Sequence, residues 1–275
     1  MAIGLIRCVI RAQNLRKKLG KLTLSIAKKA PGLLSVSPKV LIKQEAVQIN
    51  KKLLESKEEV SFNPLFETIN NHFIKNKSNL ASSVIITGYA RVGKSIIANK
   101  VAEASGLSVL PVDTLRTVYD GLTSRLKHKT KNRFYCELVK RFPKGIILEG
   151  FDLLINEDGD SGETENTYSL DLLVCIQKNS TPNIYLLGNK DATIDNKAQG
   201  LIEYRTNARC WTTGKKHKER YNRLANIQKL AYSSIKVSDS LFFEAVKNNI
   251  KYIEVRPECF NSDVDFAVNK ILEAL

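Results

Sequence analysis

The sequence predicts a three-layer α/β sandwich: a parallel sheet of about five strands between helices, preceded by a basic helical extension. Three observations point there. Short apolar, largely β-branched runs recur at 84–87, 107–112, 145–148, 183–187 and 251–255. The intervals between them carry helical periodicity, and a glycine-containing loop stands between the first run and the helix after it. Apolar runs alternating with helices mark strands buried on both faces of a parallel sheet.

The chain has 275 residues, 43% hydrophobic and 26% charged, which is the composition of a folded globular protein. Its net charge of +15 is unevenly spread. Residues 1–44 hold ten Lys and Arg and no acid, leaving 33 basic against 28 acidic residues, a net +5, in the remainder. The body is mildly basic and lacks interleaved basic and aromatic residues, so the distribution argues against a nucleic-acid partner. Five dispersed cysteines, with no C-x-x-C pair and three histidines, argue against zinc and for reduced thiols. No run of about 18 apolar residues suggests a membrane-spanning helix.

Residues 1–44 form the first of three expected segments. Leu15, Leu19, Leu22 and Ile26, with lysines between them, describe an amphipathic basic helix. Three readings share that composition: a solvated extension, an organellar (mitochondrial or plastid) transit segment, and a helix lying on a membrane surface. The expected location is cytoplasmic, or organellar if the segment is an address. Residues 45–80 read as a helical lead-in, with Val47, Leu53, Leu54, Leu65, Phe66, Ile69 and Phe73 as buried candidates. Residues 81–275 hold the main domain. Within it, the acidic, glycine-containing stretch 156–166 reads as an exposed loop without the spacing of a calcium-binding hand.

Gly88-Tyr89-Ala90-Arg91-Val92-Gly93-Lys94-Ser95 matches G-x-x-x-x-G-K-[ST] at every position and sits between a strand run and the helix beginning near Ile96. The glycines let successive backbone N–H groups curl inward, and the helix N-terminus adds partial positive charge, so the ligand is a polyphosphate. Lys94 is placed to reach the β- and γ-phosphates, and the Ser95 hydroxyl to hold Mg²⁺. The cofactors expected are therefore ATP and Mg²⁺, with residues 88–96 as the binding segment.

Ligands of open α/β sheets lie beyond the carboxyl ends of the strands, where two acids fall. Asp113, after the second run, suits a general base or a substrate contact; capping the next helix is the competing role. Arg116, one turn on, suits an anionic substrate group. Glu149, closing the third run, suits a magnesium-bound water, whereas Asp152 reads as a helix cap. Gly188-Asn189-Lys190-Asp191 has the wrong spacing for guanine recognition. Between Arg205 and Arg223 seven basic residues stand against Glu219 alone, and Arg205 and Arg209 are placed to close over a transferring phosphoryl group. Trp211 beside them reads as packing.

GYARVGKS, VDTLR, IILEGFD, the arginine-bearing segment and KYIEV together resemble the P-loop nucleoside and nucleotide kinase-like group. The VDTLR and LEGFD pair is similar to small-molecule kinases related to 2-phosphoglycerate kinase and chloramphenicol phosphotransferase. The resemblance spans 82–275 and implies ATP phosphates at residues 88–95, a catalytic or substrate-contacting carboxylate at Asp113, and lid arginines at Arg205 and Arg209. Ala90 and Arg91 replace the central glycine usual in nucleoside monophosphate kinases. Glu149-Gly150-Phe151-Asp152 replaces the D-G-x-P-R of adenylate kinases, which argues against a nucleotide acceptor. The expected function is ATP-dependent phosphoryl transfer to a small-molecule acceptor; the alternative is a nucleotide-dependent regulatory or binding ATPase module.

Overall fold

A computed structural model describes residues 37–55, 60–74, 81–156, 167–207 and 224–275. Five strands pair in parallel: β1 (Val84–Gly88), β2 (Ser108–Pro111), β3 (Ile146–Glu149), β6 (Asn183–Gly188) and β7 (Lys251–Glu254), in the order β2-β3-β1-β6-β7. β4 (Ile155–Asn156) and β5 (Thr167–Tyr168) form a separate antiparallel pair. The five sequence runs are thus the five sheet strands, each within a residue or two of its expected bounds.

All five residues of β1 are buried, as a central strand covered on both faces requires. Alternate residues serve opposite cores. Ile85, Leu148 and Leu186 face α1 (Pro38–Glu55), α2 (Asn63–His72), α5 (Ser124–Arg141) and α6 (Asp171–Asn179). Ile86, Ile147 and Tyr185 face α3 (Lys94–Ser105) and α9 (Phe260–Leu272). The short α4 (Val112–Leu115) follows β2, and α7 (Ile194–Asn207) and α8 (Leu224–Lys247) pack together between β6 and β7. The register pairs Ile86 with both Glu149 and Tyr185, so the carboxyl ends of β1, β3 and β6 share one edge.

α1 crosses the boundary that charge suggests at residue 44, because its inner face begins at Ile42 and repeats through Ala46, Ile49 and Leu53. Of the lead-in candidates, Leu53, Leu65, Phe66 and Ile69 are buried, whereas Leu54, one position beyond Leu53, is turned outward and 60% exposed. The Asn50 amide donates to the Val118 and Asp120 carbonyls, 3.0 Å each, tying α1 to the segment after α4. Ile42 is fully buried, so Ile42→Ala is expected to lower stability by about 2–5 kcal/mol, read from denaturant unfolding. Unchanged stability would show that α1 does not belong to the cooperative core.

Residues 1–36, most of the acidic stretch (157–166) and the basic stretch 208–223 lie outside the described residues. Packing of α5 on α6 brings Cys136 and Cys175, 39 positions apart, to 3.3 Å between sulfurs, both as free thiols. No helix among the described residues is long and apolar enough to cross a membrane.

Candidate functional site at the phosphate loop

The loop leaves β1 at its carboxyl end and turns into α3. Gly88 has φ +149°, and a Cβ there would stand 2.2 Å from the Leu187 carbonyl oxygen. Gly93, at φ +85°, precedes α3 in the left-handed region, with the Phe260 ring 3.1 Å from where a Cβ would lie. Both glycines are therefore dictated by backbone shape. Arg91 between them also has positive φ, +67°, a conformation that non-glycine residues adopt mainly where surrounding structure imposes it.

Tyr89 and Val92 turn into the interior. The Tyr89 ring meets Phe151 and Tyr168 edge-on, with centroids 5.3 and 5.4 Å away, so β5 and the turn after β3 clamp the loop from one side. Ala90, Arg91, Gly93, Lys94, Ser95 and Ile96 line a cavity of about 620 Å³. Asp113, Glu149 and Phe151 form a second wall, Lys197 and Leu201 of α7 a third, and Val255, Pro257 and Phe260 a fourth. The structure thus brings the loop, Asp113 and Glu149 around one cavity.

The Lys94 ammonium donates to the Tyr89 carbonyl at 2.8 Å. Burial pushes its pKa down to about 8, with Glu149 and Asp113 pulling the other way and Arg91 adding to the depression. Ser95 Oγ donates to Glu149 Oε1 at 3.2 Å, so a hydroxyl and a carboxylate converge beside the loop. Burial raises the Glu149 pKa, opposed by Lys94 and by the Ser95 hydrogen bond. Thr87 Oγ1 donates to the Gly150 carbonyl at 2.7 Å and fixes the turn that carries Glu149 against β1.

β2 ends at Pro111, so Asp113 sits in the first turn of α4, exposed and facing the cavity. No side-chain capping hydrogen bond is present at the start of that helix. Arg116 is not among the cavity-lining residues: its Nε lies 3.1 Å from Asp120 Oδ1 and 3.9 Å from Asp152 Oδ1. These two carboxylates hold the guanidinium away from the place expected for it.

Asp152, read from sequence as a cap, has a different role. It is buried, and its carboxylate accepts a hydrogen bond from the Tyr119 hydroxyl, which itself lies 3.0 Å from the Tyr135 hydroxyl. The buried Lys131 ammonium lies 3.8 Å from Asp152 Oδ2 and donates to the carbonyls of Asp152 and Ile155. The group anchors the chain just beyond Glu149, and no local pattern could reveal partners 21 and 33 residues away. The Asn189 side-chain oxygen, in the loop after β6, accepts from Ser234 and Ser238, while Glu254 accepts the backbone N–H groups of Lys190 and Asp191. Residues 188–191 are not among those lining the cavity.

Arg205 belongs to α7, and Arg209 and Trp211 lie outside the described residues. Among the described side chains, α7 presents the cation Lys197 to the cavity. It is 4% exposed, and its Nζ donates to the Arg91 carbonyl at 2.8 Å. Burial, with Lys94 and Arg91 of like charge nearby, pushes its pKa down to about 7, against the pull of Glu254. Lys197 stands alone in an ordinary helical stretch with no motif around it, so the sequence carries no signal for it.

No protein-family model matches the chain, and no curated protein matches it. Among solved structures it is similar to a tRNA isopentenylpyrophosphate transferase from Bacillus halodurans, at 12% identity and TM-score 0.35, covering 70% of this chain and 96% of that one. It is also similar to a tRNA delta(2)-isopentenylpyrophosphate transferase from Staphylococcus epidermidis, at 11% identity and TM-score 0.34, covering 70% and 99%. The fold, a parallel five-stranded α/β sheet with a phosphate loop after its central strand, stands on the geometry above. One expectation is corrected: the charge distribution set nucleic acid aside, whereas these two solved structures are transferases named for tRNA, and the exclusion is withdrawn.

Proposed function

We propose that this chain is an ATP-dependent phosphotransferase acting on a hydroxyl-bearing small-molecule acceptor. The observation carrying this reading is the convergence of Lys94, Lys197, Asp113 and the Ser95–Glu149 pair on one cavity at the carboxyl edge of the sheet. Its volume of about 620 Å³ falls within the roughly 300–1,000 Å³ usual for small-molecule sites. Buried like-charged lysines are costly unless an anion compensates them, and a polyphosphate supplies that anion.

The Ser95 hydroxyl and the Glu149 carboxylate are hard oxygen donors that fit Mg²⁺ directly or through bound water. When bound there, the ion supplies charge neutralisation across the β- and γ-phosphates. The chain's own groups do the rest. Backbone N–H groups of the loop and the start of α3 orient the phosphates, and Lys94 exchanges the Tyr89 carbonyl for phosphate oxygens. Asp113 takes the proton of the acceptor hydroxyl as that oxygen bonds to the γ-phosphorus and the bond to the β–γ bridging oxygen breaks, releasing ADP. Arg205 and Arg209 are assigned the lid role from the sequence.

The test incubates the protein with γ-labelled ATP and, separately, a small-metabolite extract and an RNA fraction. Label transferred covalently to a small metabolite supports the proposal. Label transferred to RNA, or released only as inorganic phosphate, would contradict the small-molecule reading, the latter favouring a nucleotide-dependent regulatory module.

A further inference from the structure

We infer that Lys197 is a ligand of the terminal phosphate, the cation by which the site distinguishes a nucleoside triphosphate from a diphosphate. The inference rests on the nucleotide reading of the cavity and adds a residue to it.

Lys197 lies on α7, opposite the phosphate loop, yet its ammonium reaches across to the carbonyl of Arg91 at the loop's midpoint. That carbonyl is a neutral acceptor, which compensates a desolvated ammonium poorly. The charged groups acting on Lys197 are Lys94 and Arg91 from the loop, of like sign, and Glu254 from β7. Two neighbouring elements meet α7 through apolar contacts, and the exposed Glu258 lies on the second of them. α8 meets it through Ile227 and Ala231 against Ala198, and the turn Pro257–Cys259 meets it through Pro257 against Gly200.

A buried cation that lines the cavity together with Lys94, with its hydrogen bond going to a neutral carbonyl, is matched by an anionic oxygen bound in that cavity, which the carboxylates of Asp113, Glu149 and Glu203 also line. Its depressed pKa, about 7, agrees. A bound phosphate oxygen would draw the pKa back up, so binding takes up a proton. As pH rises above about 7 the free group is increasingly neutral, so proton uptake at Lys197 grows with pH.

The experiment is calorimetric titration of wild type, Lys197→Met and Lys197→Arg with ADP and with a non-hydrolysable ATP analogue carrying an imido β–γ bridge. Each titration is run with Mg²⁺ in two buffers of different ionisation enthalpy. Wild type is expected to prefer the triphosphate analogue and to take up a proton. Lys197→Met should lose about 10- to 100-fold of that preference together with most of the proton uptake, the remainder belonging to Lys94. Lys197→Arg, always protonated, should keep the preference while losing most of the uptake.

Lys197→Met that weakens both nucleotides equally, or neither, would overturn the inference and make Lys197 a staple between α7 and the loop. The arginine variant keeps the test decisive if the methionine variant fails to fold: a folded Lys197→Arg that keeps the triphosphate preference with reduced proton uptake supports the inference, and one that loses the preference or shows wild-type proton uptake overturns it. Wild type that binds neither nucleotide would overturn the reading of the cavity itself.

Discussion

Lys94→Met is expected to weaken ATP binding by about 10²- to 10³-fold without unfolding the protein, because in the proposed reading the ammonium makes charge-assisted hydrogen bonds to two phosphates. Its hydrogen bond in the structure goes to the Tyr89 backbone carbonyl. The sign of the stability change follows from its titration. The folded-state pKa, about 8, lies below the unfolded value of about 10.4, so the unfolded chain binds the proton more tightly. The folded state is disfavoured at pH values below 8, and the penalty is relieved as pH rises from about 8 to 10. Lys94→Met removes that penalty, so its melting temperature at pH 7 should equal or exceed that of the wild type. A variant that binds ATP normally would remove Lys94 from the site, and one that unfolds would make it structural.

Asp113→Asn is expected to lower turnover about 10²- to 10⁴-fold while leaving ATP affinity within a few-fold, the usual worth of a positioned general base. The amide keeps the shape of the side chain but accepts no proton at the moment the acceptor hydroxyl must lose one. Its exposure and the absence of a capping hydrogen bond at the start of α4 mean that little of the fold depends on it. Steady-state kinetics with the identified acceptor checks this. Unchanged kcat with lowered thermal stability would reassign Asp113 to the helix start.

The parts of this protein legible in its sequence are those encoded by neighbouring residues. The five sheet strands are continuous apolar runs, and the phosphate loop requires two glycines, Lys94 and Ser95 at fixed spacing; both signals are local. Glu149 and Asp113 could be placed because a strand end fixes where the following acid points. The short β4–β5 pair escaped notice because two-residue strands show no alternation. Leu54 was misplaced because adjacent leucines do not reveal which of them the helix turns inward.

Arg116, Asp152 and Lys197 were misread or missed for a different reason. Each owes its position to a partner distant in sequence: Asp152 for Arg116, beside its local i,i+4 pair with Asp120, Tyr119 and Lys131 for Asp152, the Arg91 carbonyl for Lys197. Only tertiary packing creates those relations. The N-terminal boundary drew on charge, which changes near residue 44, whereas α1 is defined by an apolar stripe that begins at Ile42.

The central claim is that the cavity at residues 88–96 holds a nucleoside polyphosphate. Equilibrium binding of ATP to the wild-type protein with Mg²⁺, with adenosine and inorganic triphosphate as competitors, tests it most directly. The account predicts one saturable site from which inorganic triphosphate displaces ATP and adenosine does so far more weakly, because the loop, Lys94 and Lys197 all address phosphate. Absence of ATP binding, or displacement by adenosine as effective as by triphosphate, would contradict it.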